Sequence, residues 1–69
     1  MNILSERLLT LRQAAGLNQQ EVADSVQIAV RTYAYYEKGT REPLASVLAR
    51  FADFYHVSAD YLLGRADKP

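Results

Sequence analysis

Apolar residues recur along this chain at helical spacing, and no useful stretch alternates apolar and polar residues as a half-buried strand would. The first apolar stripe consists of Leu4, Leu8, Leu11 and Ala15. These positions follow the i, i+4, i+7 rule of an amphipathic helix. The pattern predicts a first helix over about residues 2–15, ended by Gly16 in a left-handed conformation.

Two short helices are predicted next. Asn18 is a suitable N-cap, and Glu21 three residues later completes a capping box for a helix that runs to about Val26. The following segment, about 30–38, stops at Gly39. Because so few residues separate these two helices, they must cross steeply, which is the helix-turn-helix geometry.

The last part of the chain predicts two more helices. Pro43 suits the first turn of a fourth helix, and Ser58 suits the cap of a short fifth helix with Asp60 in its first turn. The broadest apolar face belongs to the fourth helix and comprises Leu44, Val47, Leu48, Phe51, Phe54 and Tyr55. Residues 1–64 are therefore expected to form one all-α, five-helix bundle, and residues 65–69 a frayed tail.

The third helix separates its tyrosines between two faces, since successive residues are about 100° apart. The inner arc holds Ala29, Tyr33, Tyr36 and Glu37, and the outer arc holds Arg31, Ala34, Tyr35 and Lys38. We expect Tyr33 and Tyr36 to be core residues whose hydroxyls find hydrogen-bond partners. Tyr35 is either a nucleic-acid contact or an ordinary exposed aromatic.

Composition limits the function. The 69 residues include eight basic and eight acidic side chains, which argues against a large, sequence-blind affinity for nucleic acid but allows a small basic patch. The chain has no cysteine and no signal peptide or membrane-spanning run, so we expect a cytoplasmic location. Its single histidine, His56, falls at a helix end, and no catalytic or metal-binding motif is present. We expect neither enzymatic activity nor a cofactor, metal or small-molecule substrate.

Two stretches in combination carry a family resemblance, "GLNQQEVADSVQIAVRTYAYYEKGTREP" and "LARFADFYHVSADYLLG". The chain from about residue 6 to 64 resembles the helix-turn-helix domain of the lambdoid phage repressor and Cro family. The resemblance implies a lambda-repressor-like fold in which helices 2 and 3 form the helix-turn-helix. It also implies sequence-specific binding of double-stranded DNA.

The resemblance implies a role for each matching residue. Residues at base-reading positions are Val30, Arg31, Ala34 and Tyr35; residues at phosphate-binding positions are Gln19, Lys38, Thr40 and Arg41. Ile28, Tyr33 and Tyr36 match core positions. Arg12 and Glu37 match a structural ion pair, which their places beside the first apolar stripe and on the inner arc also favour. The family pairs through its C-terminal end, so Ala59 and Tyr61 are candidate dimer contacts, with closure of the core as the equal alternative.

Three residues depart from the family pattern. Gln27 stands where the turn usually has glycine, Ala29 where the third helix usually has a serine or threonine cap, and His56 where glycine commonly ends the fourth helix. We expect Gln27 and His56 to adopt left-handed conformations. The missing cap at Ala29 should cost about 1 kcal/mol.

The leading hypothesis is a transcriptional regulator, a repressor by resemblance, that binds a palindromic operator as a homodimer with half-sites about 34 Å apart. The alternative is a protein-binding module of the same fold, antitoxin-like or polymerase-binding. Net charge zero favours the alternative, whereas the outward Arg31, Lys38 and Arg41 favour DNA.

Overall fold

Five helices account for most of residues 2–69, the part of the chain that the computed structural model describes, and no strand occurs in it. They are α1 (Ile3–Ala14), α2 (Gln19–Ser25), α3 (Val30–Lys38), α4 (Ala45–Tyr55) and α5 (Ala59–Leu62). The predicted all-α architecture of five helices is confirmed.

Side-chain caps set the starts of three helices. The Asn18 side chain accepts a hydrogen bond from the Glu21 N–H at 2.8 Å, and the Glu21 carboxylate accepts one from the Asn18 N–H at 2.9 Å. This confirms the predicted capping box of α2. Asn2 and Ser5 form a second, unpredicted capping box at α1, and Ser58 caps α5 through the Tyr61 N–H at 3.0 Å.

The fourth helix begins later than the sequence predicted. Pro43 precedes the N-cap, Leu44, whose backbone is extended (φ −60°, ψ 156°), and the helix itself begins at Ala45. The expectation that Leu44 belongs to the apolar face of α4 is wrong, because outside the helix its side chain points to solvent and is 74% exposed. Deeper in α4, Val47 and Phe51 are buried as expected.

Phe51 lies at the centre of the core with two tyrosines of α3. Its ring centroid is 5.8 Å from that of Tyr33 and 6.3 Å from that of Tyr36. Both tyrosines are buried, which confirms their expected place in the core. Within residues 2–69 the buried hydroxyls of Tyr33 and Tyr55 make no well-formed hydrogen bond, although the Tyr33 hydroxyl lies beside the Glu37 carboxylate.

The turn between α2 and α3 has the strained geometry expected where Gln27 and Ala29 differ from the family pattern. Gln27 is left-handed with φ 63°, and the Ile28 N–H donates to the Ala23 carbonyl at 2.9 Å to close the turn. Ala29 is the N-cap of α3 and makes no side-chain capping bond. His56 ends α4 with φ 55°, so both predicted left-handed residues are confirmed.

Residues 65–69, predicted from the sequence to be a frayed tail, make several hydrogen bonds with the bundle. The Arg65 N–H donates to the Asp60 carbonyl at 2.8 Å, and the Ser58 N–H donates to the Pro69 carbonyl at 3.0 Å. The Arg7 guanidinium of α1 donates to the Ala66 carbonyl at 2.7 Å. The two backbone bonds supply partners to groups at the ends of α5 that have none inside the helix.

Candidate nucleic-acid interface

The outer face of α3 presents the residues that the sequence assigned to base contact. Arg31 is exposed at the first turn, whereas Ala34 and Tyr35 are half-buried. Val30 is also half-buried and packs partly against the core, so only part of its side chain faces outward. The inner face is occupied by Tyr33 and Tyr36. The helix is therefore held by one face and leaves the other free to enter a groove.

The loop after α3 is organised around the Tyr35 carbonyl. That oxygen accepts hydrogen bonds from the Gly39 N–H at 3.0 Å, the Thr40 N–H at 3.1 Å and the Thr40 hydroxyl at 3.3 Å. Gly39 adopts φ 81°, a conformation that glycine accommodates without steric cost. The arrangement brings Arg41 back over the Tyr35 ring, 4.8 Å from its centroid. Exposed Lys38 ends α3 on the adjoining turn.

Behind the outer face lies the ion pair expected from the sequence. The Arg12 Nε and Nη2 donate to the two oxygens of Glu37 at 2.9 and 2.8 Å, a bidentate arrangement. Arg12 Nη1 also donates to the Leu17 carbonyl at 3.0 Å. Only 17% of the Arg12 side chain and 9% of the Glu37 side chain are exposed. The pair thus ties α1 to both α3 and the segment before α2.

Gln19 joins this pair at the start of α2. Its Nε2 donates to Glu37 Oε1 at 3.3 Å, so the side chain expected at a DNA phosphate is held against α3 in the free protein. It remains half-exposed at the edge of the outer surface. Gln19 can therefore fix the angle between the two helices and still present polar atoms outward.

Electrostatics keep the pair charged. Burial by itself raises the pKa of the Glu37 carboxyl, but its hydrogen bonds, those from Arg12 above all, hold that pKa below its usual value. The hydrogen bond to Glu37 raises the pKa of Arg12 despite its burial. Burial raises the pKa of Tyr55 to about 12, and it also raises that of Tyr33. Both hydroxyls are therefore neutral at physiological pH.

Arg7, which the sequence reasoning missed, organises the opposite side of the bundle. Its guanidinium lies over the Tyr61 ring at 3.9 Å and donates to the Tyr61 carbonyl as well as to Ala66. The available signal was its position beside the apolar stripe of α1, three residues after Leu4. Tyr61 and Ala59, the candidate dimer contacts, are both half-buried.

An open apolar groove of about 500 Å³ lies near the end of α5. Its lining residues are Asn2, Ile3, Leu4, Glu42, Pro43, Leu48 and Leu63. The exposed large apolar side chains of residues 2–69 are Ile3, Leu44 and Leu63, of which two line the groove and the third adjoins Pro43. Exposed apolar surface concentrated in one place is typical of an interface.

Within residues 2–69, none of the helices has the length and apolar character that a membrane span requires. No group of three or more histidine, cysteine or acidic residues is placed to hold a metal ion in the same part of the chain.

With this geometry, the class of protein is defined by comparison with known families. Residues 8–62 match the family model described as helix-turn-helix, and the chain belongs to that family. The match confirms the family resemblance found in the sequence.

The relatives are bacterial and phage regulators. The chain is 39% identical over 62 residues to the HTH-type transcriptional regulator ImmR of Bacillus subtilis, covering 90% of this chain and 49% of the relative. It is 38% identical over 55 residues to the cryptic phage CTXphi transcriptional repressor RstR of Vibrio cholerae, covering 80% of this chain and 50% of the relative. The chain thus spans about half the length of these curated relatives.

Solved structures confirm the fold. A transcriptional regulator from Listeria innocua superposes with a TM-score of 0.85 at 32% identity, over 96% of this chain and 62% of that one. The P22 c2 repressor, in complex with a synthetic operator, superposes with a TM-score of 0.88 at 21% identity, over 96% of this chain and all of that one. The five helices are therefore arranged as in phage repressors.

Proposed function

We propose that this chain is the DNA-binding domain of a transcriptional repressor and that α3 reads the major groove of a specific operator. The observation that supports it best is the division of α3. Its inner face is buried by Tyr33 and Tyr36, while Arg31 stands exposed on the outer face and Lys38 and Arg41 follow at its end. An exposed helix face with cations at both ends suits a groove flanked by phosphates.

Within this proposal, two groups of residues have different tasks. Candidates for base contacts are Val30, Arg31, Ala34 and Tyr35; candidates for phosphate contacts are Gln19, Lys38, Thr40 and Arg41. Arg31 is the best candidate for a bidentate contact to guanine O6 and N7, since its guanidinium has five donors and no acceptor. Val30 and Ala34 offer methyl groups to a thymine methyl. The phosphate contacts set the register and the base contacts supply discrimination.

Selection from random DNA duplexes, followed by affinity measurements on the selected site, tests the proposal. We expect Arg31→Ala to cost about 1–3 kcal/mol of binding free energy and to relax preference at one base pair. Arg65→Ala is the matched control, because it removes the same charge from an exposed side chain outside α3. Failure to select any duplex would overturn the proposal and favour the protein-binding alternative.

A salt titration gives a second, independent measurement. Binding to DNA should weaken as salt is added, with a slope of about −0.9 for each phosphate neutralised. Lys38 and Arg41 are the cations among the proposed phosphate contacts, so we expect a shallow slope of about −1.8 for each copy of the chain. A slope of zero would contradict DNA binding.

The cytoplasmic location and the lack of enzymatic activity expected from the sequence stay predictions.

We further propose that two copies of the chain bind the operator together through the end of α5. One copy offers few phosphate contacts, and a formal net charge of zero lets two copies meet without electrostatic repulsion. The proposed interface extends from Ala59 and Tyr61 to Leu63 and Leu44. The last two are large apolar side chains, 46% and 74% exposed, which a second copy would cover.

Sedimentation equilibrium over a range of protein concentrations, with and without operator DNA, tests this assembly. We expect Leu44→Lys to raise the dimer dissociation constant and to weaken binding to a palindromic site more than to a half-site. Ala49→Lys is the control, because Ala49 is an exposed residue on α4. The proposed dimer would be overturned if the selected sites contained a single half-site and if wild-type and Leu44→Lys were both monomeric on DNA.

A further inference from the structure

We infer that Tyr35 is a positioning residue that holds Arg41 for contact with a DNA phosphate, rather than a residue that reads a base. The inference rests on the proposed DNA-binding function and changes the task of Tyr35 within it. Two observations support it: the stacking of Arg41 on the Tyr35 ring and the hydrogen bonds to the Tyr35 carbonyl.

The first observation concerns the ring. The Arg41 guanidinium carbon lies 4.8 Å from the Tyr35 ring centroid, inside the roughly 6 Å range of a cation–π contact. An exposed arginine without such a contact samples many rotamers, and ordering it on binding costs conformational entropy. The ring therefore reduces the entropy that Arg41 loses when it meets a phosphate.

The second observation concerns the backbone. The Tyr35 carbonyl accepts hydrogen bonds from the Gly39 N–H, the Thr40 N–H and the Thr40 hydroxyl, at 3.0, 3.1 and 3.3 Å. The chain path that leads to Arg41 is thus tied to the same residue whose ring receives the Arg41 side chain. These carbonyl bonds do not depend on the side chain at position 35, so they hold the path to Arg41 in place when only the ring is changed.

The arrangement has a direct consequence for recognition. The face of the Tyr35 ring that Arg41 covers is closed to a DNA base, so stacking on that face requires the guanidinium to leave. The hydroxyl has no part in either interaction. We therefore expect the ring to matter and the hydroxyl not to matter.

A double-mutant cycle on the selected duplex tests the inference. Tyr35→Leu keeps apolar bulk but removes the aromatic face, and Tyr35→Phe keeps the face but removes the hydroxyl. We expect Tyr35→Leu to weaken binding about two- to fivefold, the size of an exposed cation–π contact, and Tyr35→Phe to leave affinity unchanged. In an Arg41→Ala background, Tyr35→Leu should have no further effect.

Lys38→Ala is the control for Arg41→Ala in this cycle, because it removes a neighbouring positive charge that Tyr35 does not hold. In residues 2–69 the cations stacked on aromatic rings are Arg7 and Arg41, so Lys38 is an exposed cation at the end of α3 that is not held by Tyr35. Tyr35→Leu should therefore keep its full two- to fivefold penalty, about the size of one cation–π contact, in the Lys38→Ala variant. Thermal unfolding of each variant corrects for any loss of folded protein.

Base preference separates positioning from base reading. Selection with Tyr35→Leu should return the same duplex as wild-type, because Arg41 meets a phosphate common to all sequences. A changed preference at one base pair, or an equal penalty with and without Arg41, would overturn the inference while leaving DNA binding intact. If wild-type selects no duplex, the proposed function itself fails, and the inference fails with it.

Discussion

The Arg12–Glu37 pair is the residue-level feature on which the position of α3 depends. A partly buried pair is weak support unless the remaining polar atoms are also satisfied, because desolvation offsets much of the attraction. Here the guanidinium makes three hydrogen bonds, two to Glu37 and one to the Leu17 carbonyl. Gln19 adds a third hydrogen bond to the carboxylate, at 3.3 Å. The network therefore joins α1, α2 and α3 through the side chains of Arg12, Gln19 and Glu37.

Removing Arg12 should be far more costly than removing an exposed arginine. We expect Arg12→Ala to reduce the free energy of unfolding by about 3 kcal/mol, because Glu37 would remain as a buried carboxylate without a cation beside it. Arg31→Ala, the exposed control, should change it by less than about 0.5 kcal/mol. Urea denaturation measures both. An unchanged melting temperature for Arg12→Ala would contradict a structural role for the pair.

The same pair should make stability depend on pH. The pKa of Glu37 lies below its usual value of 4.5 in the folded protein, so folding favours the ionised carboxylate. Its stabilising contribution is therefore complete above about pH 4.5 and is lost as the pH falls toward the folded-state pKa. We expect acidification below pH 4.5 to destabilise wild-type more than Glu37→Gln, measured by urea denaturation at several pH values. Parallel curves for the two proteins would count against this.

At the scale of elements, the helix-turn-helix is held by packing more than by its local caps. The turn contains Gln27 in a left-handed conformation, which costs a non-glycine residue about 1–2 kcal/mol. The helix that follows starts at Ala29 with no side-chain cap. Both local costs are offset by the burial of Val26 and Tyr33 on either side of the turn. Sites where local preference and tertiary structure disagree in this way can be stabilised by a single substitution.

Supplying the missing cap should stabilise the protein. The Ala29 backbone is already in the extended conformation of an N-cap (φ −67°, ψ 143°), so Ala29→Ser should add a hydrogen bond to a free N–H and gain about 1 kcal/mol. Ala49→Ser makes the same chemical change inside α4, where it should cost about 0.5 kcal/mol. Thermal unfolding of the two variants should thus shift in opposite directions. A shift of the same sign in both would rule out capping as the cause.

At the scale of the whole molecule, contacts between the two ends of the chain close the bundle. Arg7 reaches the carbonyls of Tyr61 and Ala66, which lie 54 and 59 residues away. Near them, Ile3 packs so close to Gly64 that a Cβ at position 64 would lie 2.7 Å from the Ile3 Cγ2. These contacts fix the surface of α5 on which the proposed dimer depends.

Two glycines allow this closure to be measured. Gly16 and Gly64 have similar backbones, φ 71° and 79°, but a Cβ at Gly16 would meet no atom within 4 Å. Gly16→Ala should cost only the conformational penalty, about 1 kcal/mol, whereas Gly64→Ala should cost about 2 kcal/mol or more because it also displaces Ile3. Urea denaturation measures the difference. Adding Ile3→Ala should recover part of the loss at Gly64 and none at Gly16.

Much of the fold could be predicted because its signals are local. The capping box of Asn18 and Glu21, the stop at Gly39 and the two faces of α3 each depend on residues within about four positions, and the structure has all of them. The left-handed conformations of Gln27 and His56 were instead predicted from the family resemblance, because the family usually has glycine at both positions. The misplaced start of α4 shows the limit: proline restricts the residue before it and tolerates a helix start, but does not choose the first turn.

The candidate site divides in the same manner between sequence and tertiary structure. The sequence by itself determined which side of α3 faces outward, because the helical period places every residue at a fixed angle from the apolar face. It thereby determined which cations and which tyrosine lie on the outer face. Only the tertiary structure decided that Arg41 lies on Tyr35, that Arg7 secures α5 and that the carbonyls of Ala66 and Pro69 accept hydrogen bonds. These contacts join side chains and carbonyls across loops or across the length of the chain. Their partners are set by how the helices pack, which no local pattern specifies.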